Sequence, residues 1–160
     1  MIRKFEIKDI DAILEIYGFY CLNSIFTFDI QIPEKGTFKR QLLEIQSNYP
    51  FYVYEKEGTV VAYAYAGKWK NKDAYNKTAE ITIYVKDGEH RGGIGYRLYK
   101  ELLSNMKKND FHAAIACITL PNHPSVVFHE RFGFQKVGHF KEVGFKFNKW
   151  IDVGFWQLNF

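Results

Sequence analysis

Hydrophobic residues along this chain repeat with two different periods, which predicts strands and helices that follow one another. Alternation with a period of two indicates half-buried strands over residues 3–7, 51–55, 60–66, 80–85, 113–119, 134–138 and 150–158. Apolar residues three or four positions apart indicate helices from Asp9 onward, between Pro33 and Tyr49, and over residues 93–108 and 124–131. Residues 24–29 are expected to be extended, with Phe26 and Phe28 on one side.

This order of elements predicts an α/β fold with a mixed sheet. The chain has 160 residues, enough to bury a sizeable core, and it contains no internal repeat, low-complexity tract or linker. We therefore expect residues 1–160 to form a single domain.

Composition and charge narrow the function classes. Hydrophobic residues make up 47% and charged residues 25%, the balance of a soluble globular protein. The net charge of +4 comes without a long basic run, which argues against a nucleic-acid partner and is compatible with a small anionic ligand. The sequence contains no long apolar run of the kind that indicates a membrane span or a signal segment. Cys21 and Cys117 lack the spacing of metal ligands. We expect a cytoplasmic protein with two free thiols, no metal and no membrane partner.

A glycine-rich turn at residues 90–95 lies between a predicted strand and a predicted helix, and reads H-R-G-G-I-G. Glycines let a ligand approach the backbone, and the N–H groups at the start of a helix favour a phosphate. His90 and Arg91 can add positive charge nearby. The turn is not a Walker loop, because no Gly-Lys-Ser/Thr follows, and the dinucleotide fingerprint is incomplete. An ordinary connecting turn is the alternative interpretation of this segment taken alone.

The strand before the turn carries a carboxylate on a defined face. Counting by two, Glu80, Thr82 and Tyr84 share one face, and Ile81 and Ile83 lie on the other. A carboxylate among apolar neighbours can act as a general base, directly or through a water molecule. A solvated strand residue is the alternative.

A third candidate segment follows the next strand. Asn122 and Ser125 lie at the predicted start of a helix, where such residues usually cap the helix. His129 lies in the same helix, and its pKa near neutrality suits a proton carrier, with a structural role as the alternative.

These three segments, in this order, resemble the GNAT acyltransferase superfamily, whose members bind acetyl-CoA at a Gln/Arg-x-x-Gly-x-Gly/Ala turn. Here His90 occupies the first position of that turn, a departure that affects one side-chain contact and not the backbone contacts. The segments A-Y-A-G-K-W-K-N-K-D-A-Y, L-P-N-H-P-S-V-V-F-H-E-R-F-G-F and W-I-D-V-G-F-W-Q look like the phosphinothricin N-acetyltransferase family, and the resemblance spans essentially the whole chain. It implies a single α/β GNAT-like domain with a mixed, mostly antiparallel twisted sheet flanked by helices.

The resemblance also implies roles for particular residues in an acetyl-CoA-dependent acyltransferase. Glu80 would be the general base on the substrate amine, and His129 the general acid to the leaving thiolate, where many GNAT enzymes have tyrosine. The residues expected to bind the cofactor are Ile83, Tyr84, Val85, His90, Arg91, Gly92, Gly93, Ile94, Gly95, Tyr96, Asn122 and Ser125.

On the substrate side, the resemblance implies Phe28, Lys70, Lys72 and Tyr75, which would meet a small amino-acid-like amine such as phosphinothricin, methionine sulfoximine or methionine sulfone. Lys72 stands where relatives often carry arginine, and it offers a point charge instead of a bidentate fork. The family also implies a homodimer. Three alternatives remain open: acetylation of a protein N-terminus or another amine, a CoA-binding module without turnover, and a nucleotide- or nicotinamide-binding enzyme.

Overall fold

A seven-stranded sheet with the strand order β1-β2-β3-β4-β5-β7-β6 forms the framework of the computed structural model, which describes residues 1–160. The strands are β1 (Ile2–Lys4), β2 (Phe51–Lys56), β3 (Thr59–Lys68), β4 (Thr78–Val85), β5 (Ala113–Leu120), β6 (Gln135–Lys146) and β7 (Lys149–Asn159). The helices are α1 (Ile10–Asn23), α2 (Lys35–Asn48), α3 (Ile94–Lys108) and α4 (His123–Arg131). Only β4 and β5 pair in parallel, which confirms the mixed, mostly antiparallel sheet.

Helices cover both faces of the sheet. The apolar stripe of α3 packs on one face, where Leu98 and Met106 are fully buried, as the four-residue spacing predicts. Helices α1 and α2 cover part of the other face through a second cluster that includes Ile13 and Phe38. Strand β4 contributes to both layers, because Ile81 packs in the first cluster and Tyr84 packs against the second.

The sheet opens between its two parallel strands. Thr78 to Glu80 pair with Ala113 to Ile115, and the pairing stops there. Strand β4 nevertheless stays paired with β3 as far as Val85, and β5 stays paired with β7 as far as Leu120. The carboxyl-terminal halves of β4 and β5 therefore diverge and leave a gap between them.

Two predicted strands differ from those observed. The predicted first strand, residues 3–7, ends at Lys4, because a 3-10 turn follows in which the carboxylate of Asp9 accepts the N–H of Glu6 at 2.8 Å. The predicted strand over residues 134–138 runs instead from Gln135 to Lys146, with irregular pairing between Phe140 and Gly144.

Residues 24–29 form bends and irregular chain instead of the expected extended segment. None of the helices is long and apolar enough to cross a membrane.

Candidate active site

A cavity of about 650 Å³ opens where β4 and β5 diverge. Its walls come from both strands, the glycine turn, the start of α4 and the loop after α1. It brings together most of the residues predicted from the sequence: Phe28, Glu80, Ile83, Tyr84, Val85, His90, Gly93, Gly95, Tyr96, Asn122, Ser125 and His129. The divergent parallel strands thus place most of the predicted cofactor residues and the predicted base in one cavity.

Glu80 is the last residue of β4 that pairs with β5, and it is half-buried. Burial raises the pKa of its carboxyl above the ordinary 4.5, and the positive charge of Lys70 opposes that rise. No hydrogen bond from the protein contributes to its pKa. A carboxylate with a raised pKa and no protein partner is suited to accept a proton from a group that enters the cavity.

The glycine turn presents backbone donors that the protein does not use. None of the N–H groups of residues 91–96 donates to a backbone carbonyl, as expected at the start of a helix. Gly92 and Gly93 have φ of 81° and 69°, and a Cβ at either position would meet no atom within 4 Å. The turn is therefore shaped by its glycines and open on the outside, an arrangement that fits a pyrophosphate.

Three residues of the turn contribute differently from one another. Arg91 is exposed and adds positive charge beside the free N–H groups. The side chain of Ile94 is 5% exposed and packs in the core, so only its backbone faces a ligand. Arg91, Gly92 and Ile94 do not line the cavity itself.

His90 is tied to helix α1. Its Nε2 lies 3.3 Å from the hydroxyl of Tyr20, and that hydroxyl donates to the carbonyl of Val85 at 2.6 Å. The end of β4 and the start of the turn are thus held against α1.

The start of α4 forms a second wall of the cavity. The side chain of Asn122 accepts the N–H of Ser125 at 3.3 Å and caps the helix. Nδ1 of His129 donates to the carbonyl of Ser125 at 2.7 Å, which leaves Nε2 as the unprotonated nitrogen of the neutral ring. Burial lowers the pKa of His129 below 6.5, so the ring is neutral at neutral pH.

The residues predicted to bind the substrate's acid group do not line the cavity. Lys70 is exposed with its Nζ 4.8 Å from the centre of the Trp69 ring, and its charge reaches Glu80. Lys72 and Tyr75 are exposed at the 3-10 turn Asp73–Tyr75 before β4. Of the four residues predicted on the substrate side, the structure brings only Phe28 to the cavity.

Several cavity residues were missed in the sequence. Cys117 lies two residues after Ile115, the partner of Glu80, so strand alternation places both side chains on one face. Burial and the charge of Glu80 raise the pKa of this thiol to about 11. Thr119 also lines the cavity, and its buried hydroxyl has no partner. The alternation in β5 indicates both residues once β4 and β5 are known to be neighbours.

Comparison with known proteins identifies the family. The acetyltransferase (GNAT) domain family matches residues 2–154. The chain belongs to the GNAT acetyltransferase family. It is 38% identical over 159 residues to the phosphinothricin N-acetyltransferase of Streptomyces viridochromogenes, covering 99% of this chain and 87% of the relative. A GNAT acetyltransferase is an acyltransferase that uses acetyl-CoA, and the free N–H groups of the turn fit the pyrophosphate of that cofactor.

Solved GNAT structures share the same fold. A phosphinothricin acetyltransferase from Sinorhizobium meliloti in complex with acetyl-CoA superposes with a TM-score of 0.95 at 31% identity, covering 99% of this chain and 87% of that chain. A ribosomal-protein-alanine N-acetyltransferase from Brucella melitensis superposes with a TM-score of 0.96 at 30% identity, covering 100% and 99% of the two chains. The chain is thus similar to GNAT enzymes whose names give two different kinds of amine.

Proposed function

We propose that this GNAT acetyltransferase, with residues 1–160 as a single domain, transfers the acetyl group of acetyl-CoA to the amine of a small amino acid. Phosphinothricin, methionine sulfoximine and methionine sulfone are the candidates. The observation that carries the proposal is Glu80, a half-buried carboxylate with a raised pKa that lies in one cavity with the glycine turn. The 38% identity to a phosphinothricin enzyme supports this class of amine.

Glu80 would act first in the reaction. An amine near neutral pH is protonated and cannot attack a thioester, so Glu80 accepts its proton, directly or through one water molecule. Bound acetyl-CoA supplies the thioester carbonyl that the free amine attacks. The N–H groups around Ile83 to Val85, in the part of β4 that β5 leaves unpaired, polarise that carbonyl.

His129 would protonate the thiolate that leaves when the carbon–sulfur bond breaks. Its Nδ1–H is held by the carbonyl of Ser125, so the donor has to be Nε2 after that nitrogen has taken up a proton. The lowered pKa of the ring makes the charged form a stronger acid and also a scarcer one at neutral pH.

On the substrate side, Phe28 lines the cavity and would pack against the amino acid. Lys70 is the best placed cation for the substrate's acid group, because its charge already acts on Glu80. Lys72 and Tyr75 lie on the exposed turn and would meet only a part of the substrate that projects from the cavity.

A substrate panel tests this function. Purified protein is incubated with acetyl-CoA and either phosphinothricin, methionine sulfoximine, methionine sulfone, the common amino acids or an alanine-initiated peptide, and thiol release is followed. We expect release with at least one of the three amino-acid analogues and none above background with the peptide. Turnover of the peptide alone would support protein N-terminal acetylation, the second candidate, which the similarity to the ribosomal-protein-alanine enzyme favours.

Thermal unfolding with added ligand distinguishes the enzyme from a binding module and from a nicotinamide-binding protein. Saturating ligand at about 100 times its Kd stabilises a protein by about 2.7 kcal/mol, so thermal unfolding shows which ligand binds. Stabilisation by acetyl-CoA without thiol release would indicate a binding module. Stabilisation by NADH and none by acetyl-CoA would contradict the assigned cofactor.

A homodimer is also part of the proposal. The β6–β7 hairpin leaves six large apolar side chains more than half exposed: Val137, Phe140, Val143, Phe145, Phe147 and Trp150. A patch of this kind on an edge hairpin favours association with a second copy of the chain. Light scattering on the eluting protein should give twice the chain mass of 18.9 kDa, and Trp150→Lys should shift it toward one chain mass.

A further inference from the structure

The loop between α1 and α2 supplies one wall of the cavity through Phe26, Thr27 and Phe28. This loop contains no regular strand or helix, so its position depends on contacts with other parts of the chain. Tyr84 donates its hydroxyl to the carbonyl of Phe26 at 3.2 Å, which places the loop over the face of β4 that carries Glu80. The hydroxyl of Tyr17 on α1 also holds the loop, because it lies 2.7 Å from the hydroxyl of Thr27 and donates to the carboxylate of Asp29 at 2.7 Å. Further contacts come from the β6–β7 hairpin, more than a hundred residues later in the chain.

The side chain of Lys146, the last residue of β6, binds the backbone of the loop. Its Nζ donates to the carbonyls of Thr27 and Asp29, both at 2.8 Å, which are the residues on either side of Phe28. The residue is only 3% exposed, and burial lowers the pKa of the ammonium group. Burying an ammonium group is unfavourable unless it is hydrogen-bonded, so these two carbonyls and the lysine constrain each other.

Gly144 contacts the same loop at a point where the absence of a side chain is required. A Cβ at this position would lie 2.2 Å from Cζ of Phe28 and 2.4 Å and 2.8 Å from two more ring atoms. The aromatic ring therefore packs directly on the backbone of β6, and only glycine leaves room for it. The irregular part of β6 just before Gly144 is held by Asp152 on β7, whose carboxylate accepts the N–H of Glu142 at 2.8 Å.

We propose that Gly144 and Lys146 are positioning residues that set Phe28 on the amine side of the cavity and thereby determine which amines the enzyme accepts. The inference rests on the proposed function, because that function assigns the amine to the wall formed by Phe28. The glycine turn belongs to a different wall, so acetyl-CoA binding does not depend on this contact.

Gly144→Ala tests the proposal through the two Michaelis constants. We expect the KM for the amine to rise at least about fivefold and the KM for acetyl-CoA to stay within about twofold, because only the Phe28 ring must move. Gly138→Ala is the matched control on the same strand, since its Cβ would meet Phe155 at an ordinary 3.8 Å. A change of less than twofold in the amine KM of Gly144→Ala, or an equal rise in both constants, would overturn the proposal.

A double variant separates positioning from general damage to the hairpin. Phe28→Leu shortens the side chain that the new methyl group would displace, so adding Gly144→Ala to it should raise the amine KM little further. Additive effects of the two substitutions would contradict the proposal. If Gly144→Ala does not fold, Lys146→Met is measured in the same way and is expected to raise the amine KM selectively.

A crystal structure of Gly144→Ala provides a readout that does not depend on turnover. The ring of Phe28 should be displaced while the glycine turn keeps its conformation, and an undisplaced ring would refute the positioning role. If wild-type protein acetylates no amine of the panel, the proposed function fails. The positioning role of Gly144 is then tested only by the position of the Phe28 ring in the crystal structure of Gly144→Ala.

Discussion

Replacing Glu80 by glutamine keeps the shape of the side chain and removes its ability to accept a proton. The structure predicts that the fold tolerates this change, because no protein hydrogen bond holds the carboxylate. Its raised pKa also means that the folded state binds the proton more tightly than the unfolded state does. The stabilising contribution of Glu80 is therefore present below its ordinary pKa of 4.5 and is lost as the pH rises through the folded value. At neutral pH, Glu80→Gln should unfold at the same temperature as wild type or slightly higher.

The catalytic effect should be large. General-base catalysis typically contributes about 10²–10⁴-fold, and each factor of ten corresponds to about 1.4 kcal/mol of transition-state stabilisation. We expect kcat/KM for the amine to fall by this factor, about 3 to 5 kcal/mol, in a steady-state thiol-release assay. The affinity for acetyl-CoA, measured by calorimetry, should not change, because Glu80 lies on β4 away from the glycine turn.

The pH profile makes the test specific. Wild-type activity should rise with pH through the raised pKa of Glu80, whereas the variant should depend on spontaneous loss of the amine proton and gain about tenfold per pH unit below the amine's own pKa. Glu44→Gln, an exposed change on α2, is the control. If Glu80→Gln retained wild-type kcat from about pH 6 to about pH 9 while binding acetyl-CoA normally, Glu80 would not be the base.

Further predictions address the acid, the cofactor turn, the core and one partly buried ion pair. His129→Asn keeps the bond to the Ser125 carbonyl but removes a ring whose folded pKa is lowered, so the stability that wild type loses as pH falls below about 6.5 should be partly retained, as followed by thermal unfolding. If His129 is the acid, the same variant should also abolish the fall of kcat that wild type shows as the pH rises through the lowered pKa of the ring. Gly95→Val should raise the Kd for acetyl-CoA at least about tenfold in calorimetry, because a Cβ would already be in ordinary contact with the Val85 side chain at 3.5 Å and the two further methyl groups would push α3 away. Leu98→Ala, at a fully buried position, should cost about 2–5 kcal/mol in urea unfolding, and a loss below about 1 kcal/mol would contradict the packing described for α3. Burial raises the pKa of Asp9, but the Arg3 guanidinium and the Glu6 N–H together lower it below 3.8. The contribution of Asp9 to stability is therefore lost as the pH falls through that lowered value, and Asp9→Asn should flatten the acid limb of the curve of unfolding free energy against pH.

The parts of the fold that the sequence predicted well are those fixed by local periodicity. The four-residue spacing that includes Leu98 and Met106 determines the buried face of α3, because helical neighbours along the chain are also neighbours in space. The predicted length of β6 was too short because the extent of this strand depends on contacts with another strand and not on local periodicity. Its pairing is irregular up to Gly144 and depends on a contact from Asp152 on the next strand, and no pattern within β6 indicates that contact.

The same distinction applies to the cavity. Glu80, the glycine turn and His129 follow one another through β4, α3, β5 and α4, so a motif read along the chain could find them. Thr27 and Cys117 were missed because they reach the cavity through contacts between distant segments. Lys72 shows the converse case, since a residue matched by its position in a motif lies outside the cavity, and its contact with substrate stays a prediction.

The position and the pKa of Glu80 have one structural cause. The parallel strands pair only as far as Glu80 and Ile115, so the carboxylate lies at the point where the gap between the strands begins. A residue two positions earlier, Thr78, lies within the paired region, and one two positions later, Thr82, lies where the strands have already separated. At the last paired position the carboxyl is close enough to the surrounding protein to lose solvent, which raises its pKa, and still open to an amine in the cavity. The register of β4 and β5 therefore determines both where the base lies and how readily it accepts a proton.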